Sequence, residues 1–411
     1  MSSLQTLLPT LIRATDWVLN RSQRHSRDSL WSALIEGRTS GPVVDLKESF
    51  ASVTPLLIMR DAHLYFGDIV SFLNYERLAE WLVFRAYHIG PEKALAALDR
   101  FLNREPLTTT AVLALARVSV QSPISLGHGV ECVPFSPQEF LGLTTISEVG
   151  RAETDVMHIS AGLSVRFKHP VLCEASDSPE RATTHSAAAT LYWDALQRAY
   201  RALLIMGIVR PQPPALVGRV LLVSEDLPGT FSPSLSSQVE IDSAWPQLDL
   251  ASSEYLEAAA LFDALECLPE DRRDDMLMPL RRLRSAMTET KDFANAAIDL
   301  GIAFESMLVR PEETNEVLYR LSMRGAAILG TTTAERISLR KRFAAIYAMR
   351  SSAAHRGGVP LRIKGSGGGN SDVLLHDGFR LAALTIKALL RTGCPDDLDE
   401  LLLRLPPSPS A

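Results

Sequence analysis

The sequence predicts an α+β protein in which a mixed N-terminal region of helices and strands precedes a wholly helical C-terminal bundle. Two observations predict this division. After about residue 107, short runs rich in Val, Ile and Thr alternate with turn residues, which is typical of strands. After about residue 250, apolar residues recur at steps of three and four, which is typical of helices with one buried face.

The predicted N-terminal region spans residues 1–250. It begins with helical segments, among which LAEWLVFRAYHIG and PEKALAALDRFLN are divided by Gly90 and Pro91. The strand-like runs TTTAVLALARVSV, VECVPF, VMHISAGLSVRF and VGRVLLVSED follow, and a long helix over about 186–207 interrupts them. Strands mixed with so long a helix favour an α+β domain over a sandwich. We interpret this region as a candidate sensor or regulator.

Connecting helices are predicted over 251–290, and the helical bundle is predicted over 291–405. The first bundle helix carries a continuous apolar stripe made of Phe293, Ala297, Leu300, Phe304 and Leu308. A second helix is predicted over about 312–329, with Gly330 at its end. This periodicity predicts a bundle with its core between amphipathic helices.

The third bundle helix is predicted over about 334–356. Thr332 and Glu335 have the spacing of a capping box at its start, and Gly357 with Gly358 ends it. After a glycine-rich loop, a last long helix is predicted to bury Leu375, Phe379, Ala382, Ile386 and Leu389 and to stop at Gly393 and Pro395.

Composition and cysteine usage narrow the class of protein. The chain has 411 residues, 46% hydrophobic and 22% charged, which excludes a disordered protein. No apolar run is long enough to span a bilayer, and Arg13 and Asp16 interrupt the first apolar stretch, so we predict no secretory leader. The four cysteines lie far apart without a CxxC pair, and no histidine or carboxylate cluster has metal spacing. The sequence therefore predicts a cytoplasmic protein without a metal or other cofactor.

Charge is distributed unevenly along the chain. The net charge is −6, yet residues 291–411 carry a net charge of +3, and the preceding residues carry −9. Within 331–364 Glu335 is the only acidic residue among eight basic ones, which are Arg336, Arg340, Lys341, Arg342, Arg350, Arg356, Arg362 and Lys364. This pattern is typical of a solvated basic face, and it also suits an RNA-binding surface.

Arg350 breaks the apolar stripe of the third bundle helix. Leu339, Phe343 and Ile346 lead along that stripe to Arg350. Because a buried guanidinium needs a partner, Arg350 either pairs with a carboxylate or lines a cleft that takes an anion. Glu305 is the carboxylate that the pattern favours. From the residues alone, a structural ion pair and a functional site remain open.

His355 lies five residues after Arg350, which places it roughly 140° away around an ideal helix. Ser351 is four residues before His355 and shares its face. A single histidine near a helix end is ordinarily a capping or surface residue. Tyr347 and Arg324 lie on or near the inward sides of their helices, where core or supporting roles are expected. His128, His158 and His169 are likewise interpreted as structural.

RSSAAH at 350–355 resembles the Arg, polar residue, spacer and His motif of the HEPN superfamily. Three segments, the last of which contains this motif, occur in the order of its Apea-like branch: IDLGIAFESML, YRLSMRGAAILG and RKRFAAIYAMRSSAAHRGG. The resemblance covers about 290–395, and weakly PISLGHGVECVPFSPQEF before it. One departure is Arg356, which follows His355 where this branch commonly has glycine.

This resemblance implies an endoribonuclease of antiviral abortive infection that needs no metal. The ribose 2′-OH would be the nucleophile, His355 would move protons, and Arg350 would stabilise the phosphate. Ser351, Glu305 and Tyr347 would support this pair, and RNA would contact Arg340, Lys341, Arg342 and Arg356. The resemblance also implies a homodimer with a composite site, while a phage-derived or nucleotide trigger would act on the N-terminal region.

Two other functions fit the same residues. The bundle is then either a catalytically silent HEPN module that binds RNA, a nucleotide or a protein partner, or a structural dimerisation bundle in which Arg350 pairs with Glu305. Arg350 and His355 opening onto one solvent-filled cleft favours the nuclease. A dry Arg350 and Glu305 pair, with His355 turned away, favours the structural bundle.

Overall fold

The predicted α+β architecture is confirmed by a computed structural model. It describes residues 3–22, 29–66, 69–135, 159–169, 172–175, 181–212, 214–222, 234–237, 248–288, 292–313, 315–359, 370–395 and 398–403. None of the helices in these ranges combines the length and apolar content that a bilayer crossing requires.

The N-terminal region contains short 3-10 helices at Ser3–Leu7, before the first α-helix, and at Phe50–Ser52 and Thr54–Met59, before the first strand. The α-helices are α1 (Leu8–Ser22), α2 (Ser29–Gly37), α3 (Pro42–Ser49), α4 (Tyr75–Ile89), α5 (Pro91–Leu102) and α6 (Arg181–Val209). Asn74 caps α4 by accepting a hydrogen bond from the Arg77 amide at 2.9 Å. Gly90, at φ 91°, turns the chain into α5, so the predicted break at Gly90 and Pro91 is confirmed.

The strands form two antiparallel sheets. Sheet one has the order β2 (Ile69–Asn74), β1 (Asp61–Phe66) and β7 (Leu172–Ala175). Sheet two has the order β4 (Ile124–Gly127), β5 (Val130–Pro134), β6 (Ile159–His169), β3 (Leu107–Ala116), β8 (Ala215–Leu222) and β9 (Ser234–Ser237). β3 is central in sheet two, pairing from Leu107 with His169 through to Ala116 with Ile159 on one side.

The sequence analysis did not predict the β1 and β2 hairpin, which residues 61–74 form among the N-terminal helices. Leu64 in β1 and Leu73 in β2 are buried, whereas Val70 and Phe72 stay largely exposed. Six-residue strands are too short for their periodicity to stand out in a segment that is otherwise helical.

The long helix α6 lies between the sheets and the C-terminal bundle. It packs on β1, β3 and β6 and also contacts the helices of the C-terminal half. From Ala202 to Val209 every residue is buried, because this end of α6 is covered on several sides. The predicted helix over 186–207 is therefore confirmed and is longer than expected.

The C-terminal helices are α7 (Ser252–Glu266), α8 (Glu270–Thr288), α9 (Phe293–Leu308), α10 (Val317–Leu329), α11 (Thr333–Arg356), α12 (Ser371–Arg391) and α13 (Glu400–Leu403). The predicted stripe of α9 is buried from Ala297 onward. α10 starts later than predicted, because Glu316 has a left-handed φ of 58° and the Glu313 carboxylate binds the Arg310 amide at 3.0 Å. α7 and α8 also contact α6, so they connect the two regions.

Glycines let the neighbouring helices approach α11 closely. At Gly325 of α10, a Cβ would lie 2.6 Å from the ring of Phe343, and that ring also packs edge-on against Phe304 at 5.2 Å. Gly301 of α9 faces the stem of Arg350, and Gly378 of α12 faces Leu300 of α9, with Ile346 of α11 further away. Each of these positions leaves no room for a larger residue without a shift of its neighbour.

We expect Gly325→Ala to lower the free energy of unfolding by up to about 2 kcal/mol. Overpacking against Phe343, which is fully buried, costs about 1–3 kcal/mol, and the better helix propensity of alanine offsets about 1 kcal/mol. Urea unfolding measures this change. Gly358→Ala is the control, since a Cβ there meets nothing within 4 Å, and equal stability of both variants would contradict the packing argument.

Candidate functional site

The helix α11 places the two motif residues near its C-terminal end. Its start is the predicted capping box: the Thr332 hydroxyl accepts from the Glu335 amide at 3.2 Å, and the Glu335 carboxylate accepts from the Thr332 amide at 3.1 Å. Its end is Gly357, in the left-handed conformation with φ 66°. Both predicted ends are therefore confirmed, and His355 lies in the last turn.

Arg350 lies on the inward side of α11 as predicted, and it pairs with Glu305. Its Nη2 donates to Glu305 Oε2 at 3.3 Å, and its stem lies against Gly301. The two side chains are 29% and 27% exposed, so the pair is neither dry nor freely solvated. Arg350 Nε is buried and makes no hydrogen bond within the described residues. The guanidinium thus has donors that Glu305 does not use.

Tyr347 completes this cluster. Its hydroxyl donates to Glu305 Oε1 at 2.6 Å, so both carboxylate oxygens of Glu305 are engaged. The guanidinium of Arg350 lies 5.6 Å from the centre of the Tyr347 ring. Burial and the carboxylate of Glu305 raise the pKa of Tyr347 to about 12. At neutral pH Tyr347 is therefore a hydrogen-bond donor and not a base.

His355 is exposed and makes no hydrogen bond or ion pair within the described residues, and Ser351 is partly buried. No hydrogen bond among those residues joins His355 to Arg350. The structure therefore brings Arg350 and Tyr347 of α11 into contact with Glu305 of α9. His355, although also on α11, is not part of this cluster. This matches the angular separation that the sequence predicts.

The predicted RNA-binding residues divide into two groups. Arg340 and Lys341 are exposed on α11. Arg342 instead forms a two-pronged ion pair with Asp377 of α12, with Nε 2.7 Å from Oδ2. Arg356 is the last residue of α11, and Arg362 and Lys364 lie outside the described residues. The positive charge of Arg342 is thus largely matched within the bundle.

A cleft of about 1020 Å³ borders Glu305. Apolar side chains such as Met276, Ile302 and Leu389 form part of its wall. Carboxylates outnumber arginines among its charged lining residues, which are Arg272, Asp274, Asp275, Glu305, Arg310 and Glu312. This charge is unfavourable for a polyanion, so Glu305 separates Arg350 from a cleft that does not suit RNA.

A second cavity, of about 460 Å³, lies between α4 and α5 in the N-terminal region. It is lined by Arg85, His88, Lys93 and Arg100, with Ile89 and Ala96. Arg85 is buried, and no lining residue carries a carboxylate. The cavity has the charge that suits an anionic ligand.

Arg324 is confirmed as a core residue, since it is fully buried in α10. Its Nη2 lies 2.7 Å from Glu313 Oε1, its Nε lies 2.8 Å from Asp399 Oδ1, and Nη1 donates to the Leu308 carbonyl at 2.8 Å. Hydrogen bonding to Arg324 lowers the pKa of Glu313 to about 2 and lowers the pKa of Asp399. The sequence did not reveal these partners, because Asp399 is distant in the chain and lies past the last predicted helix.

We expect Glu313→Gln to have a lower free energy of unfolding than wild type at neutral pH. This difference should become smaller as the pH falls from about 4.5 to about 2. The pKa of Glu313 is depressed in the folded state, from 4.5 to about 2. Its carboxylate therefore stabilises the fold above the unfolded pKa, and this contribution is lost as Glu313 protonates. Urea unfolding at stepwise pH measures the difference. Glu92→Gln, at an exposed position on α5, is the control, and a pH-independent difference for Glu313→Gln would refute the linkage.

The structure also brings together three residues that the sequence did not connect. His128, interpreted as structural, lies beside Asp263 and Cys267 of the α7 end. Because 135 positions separate His128 from Asp263, no local spacing could reveal the cluster. The sequence analysis also interpreted two other histidines as structural. His158 lies outside the described residues, and His169 is the last residue of β6.

Comparison of the chain with family models, with curated proteins and with solved structures found no match in any of the three.

Proposed function

We propose that this chain is a metal-independent endoribonuclease of HEPN type. One observation supports it above all: the last two turns of α11 hold a partly exposed guanidinium, which donates one hydrogen bond to Glu305, and an exposed imidazole without a partner in the described residues. These are the two groups that RNA cleavage by ribose attack requires. The RSSAAH resemblance agrees with this reading, and the setting in prokaryotic antiviral defence rests on that resemblance alone.

The reaction requires removal of a proton from the ribose 2′-OH and delivery of a proton to the leaving O5′. His355 accepts the proton of the ribose 2′-OH, whose oxygen then bonds to phosphorus. Arg350 donates to the phosphate oxygens as negative charge builds on them. The bond from phosphorus to O5′ breaks, and an imidazolium protonates the leaving oxygen. The products are a 2′,3′-cyclic phosphate and a free 5′-OH.

Glu305 and Tyr347 act as positioning residues for Arg350. Glu305 takes one hydrogen bond from Nη2, Tyr347 holds the other oxygen of Glu305, and Gly301 lets the arginine stem lie against α9. A guanidinium held in this way keeps its remaining N–H groups for a phosphate. RNA then approaches over the exposed Arg340 and Lys341, and not through the acidic cleft beyond Glu305.

The same proposal gives the N-terminal region a regulatory role. The basic cavity between α4 and α5 supports an anionic trigger, such as a nucleotide. α6 and α7 contact the sheets and also α12, and α12 packs on α11, so these helices would connect the N-terminal region to α11.

The ion pair itself favours the second candidate, a structural or catalytically silent bundle. Arg350 meets Glu305 as that alternative requires, and His355 does not join them. The exposed fractions of 29% and 27% weigh against it, because a purely structural pair gains most when water is excluded. The following experiment separates the two.

We expect the wild-type protein to cleave single-stranded RNA in EDTA, and His355→Ala and Arg350→Ala each to lower the rate by at least about 100-fold. Arg350→Lys should restore little, because an ammonium lacks the planar fork. Cleavage is followed with end-labelled RNA, and the product ends identify the cyclic phosphate. RNA with 2′-deoxyribose at the cleavage position should stay intact.

His376→Ala and Arg13→Ala are matched controls, since both side chains are exposed and neither is assigned to the site, so both variants should leave the rate unchanged. If His355→Ala or Arg350→Ala cleaves RNA at the wild-type rate, that residue is not catalytic. Equal cutting of DNA, or a requirement for added metal, would exclude this metal-independent mechanism. A folded wild type without activity would favour the silent module.

We expect the active species to be a homodimer whose composite site uses both motif copies. A single α11 presents Arg350 and His355 about 140° apart, whereas two-fold symmetry brings a second pair to the same phosphate. Mixing wild type with excess His355→Ala should then lower activity faster than the wild-type fraction falls. Activity strictly proportional to that fraction, or a fully active monomer in sedimentation, contradicts the dimer.

A further inference from the structure

The turn between β4 and β5 holds His128 against the end of α7. His128 Nε2 lies 2.9 Å from Asp263 Oδ1, and Cys267 Sγ lies 3.9 Å from the same oxygen. The three ligand atoms all lie within 4.8 Å of one another. One imidazole, one carboxylate and one thiol thus converge from two separate elements.

These separations are close to those around a tetrahedral zinc ion. Zinc bonds of about 2.0 Å to nitrogen or oxygen and about 2.3 Å to sulfur separate the ligand atoms by about 3.3–3.6 Å. The distance between the imidazole and the carboxylate would increase slightly, and the Cys267 thiol would move closer to both of them. All three residues are exposed, so side-chain rotation suffices.

The backbone holds His128 in this position at a conformational cost. Its φ is 48°, and it lies between Gly127 at φ 90° and Gly129 at φ 74°. A histidine in the left-handed region is disfavoured, whereas glycine is not. Arg198 Nη1 donates to the His128 carbonyl at 3.3 Å, and the imidazole packs edge-on against Phe262. The imidazole is therefore directed toward Asp263 by contacts of its own.

We propose that His128, Asp263 and Cys267 form a zinc-binding site that joins the β4 and β5 hairpin to α7. A thiolate together with an imidazole selects zinc over magnesium or calcium. Binding displaces the thiol proton to solvent, and the fourth position is left to water. The site uses none of the residues assigned to RNA cleavage, so it stands whether or not the nuclease proposal holds.

The full-length protein, stripped of metal with a chelator and then freed of the chelator, is titrated with zinc chloride by calorimetry. We expect about one ion per chain with micromolar or tighter affinity, and a rise of the melting temperature with zinc concentration. Cys267→Ser and His128→Gly should each weaken binding by more than about 100-fold, because removal of outer-shell partners already costs 10–100-fold. His128→Gly relieves the left-handed strain, so its loss of binding does not reflect unfolding.

Cys394→Ser and His376→Ala are the matched controls and should bind zinc like wild type. Cobalt substitution gives an independent readout, because a thiolate-to-cobalt charge-transfer band should be present in wild type and absent in Cys267→Ser. Wild-type protein that binds zinc no better than Cys267→Ser and His128→Gly would overturn the proposal, and the cluster would then be a surface ion pair with a neighbouring thiol.

Discussion

The close approach of α11 to α9 at Gly301 is the constraint on which the C-terminal bundle depends. Arg350 occupies an inward position where its apolar predecessors Phe343 and Ile346 are buried. Its stem fits there because Gly301 has no side chain, and its charge is tolerated because Glu305 lies one turn further along α9. Any larger residue at Gly301 would displace Arg350 and move α11 away from its neighbour.

The same constraint leaves the guanidinium of Arg350 partly exposed. A guanidinium fully buried with all its donors used has no capacity for substrate, as Arg324 illustrates with Glu313, Asp399 and the Leu308 carbonyl. Arg350 differs, since it is partly exposed and donates one hydrogen bond to Glu305. A phosphate would therefore compete with Glu305, or share Arg350 with it, and would not enter a preformed empty site.

Ion pairs and hydrogen bonds also connect the C-terminal helices to α6 of the N-terminal region. Arg201 of α6 pairs with Glu266 of α7, with Nη2 2.8 Å from Oε2, and Lys387 of α12 donates to the Val209 carbonyl at 3.0 Å. The His128 cluster adds a link from the sheet to the same α7. α6 and α7 both contact α12, and α12 packs on α11, so a continuous series of packed helices joins the sheets to α11.

The sequence by itself determined the fold class, most helices and the ends of α11, because periodicity and capping are local properties of the chain. It also identified Arg350 as a charge on an apolar stripe and Glu305 as its partner. Tertiary structure decided the rest: the β1 and β2 hairpin, the pairing of Arg342 with Asp377, and the meeting of His128 with Asp263 and Cys267. These contacts join distant segments, and their formation depends on how helices and strands pack, which no local pattern encodes.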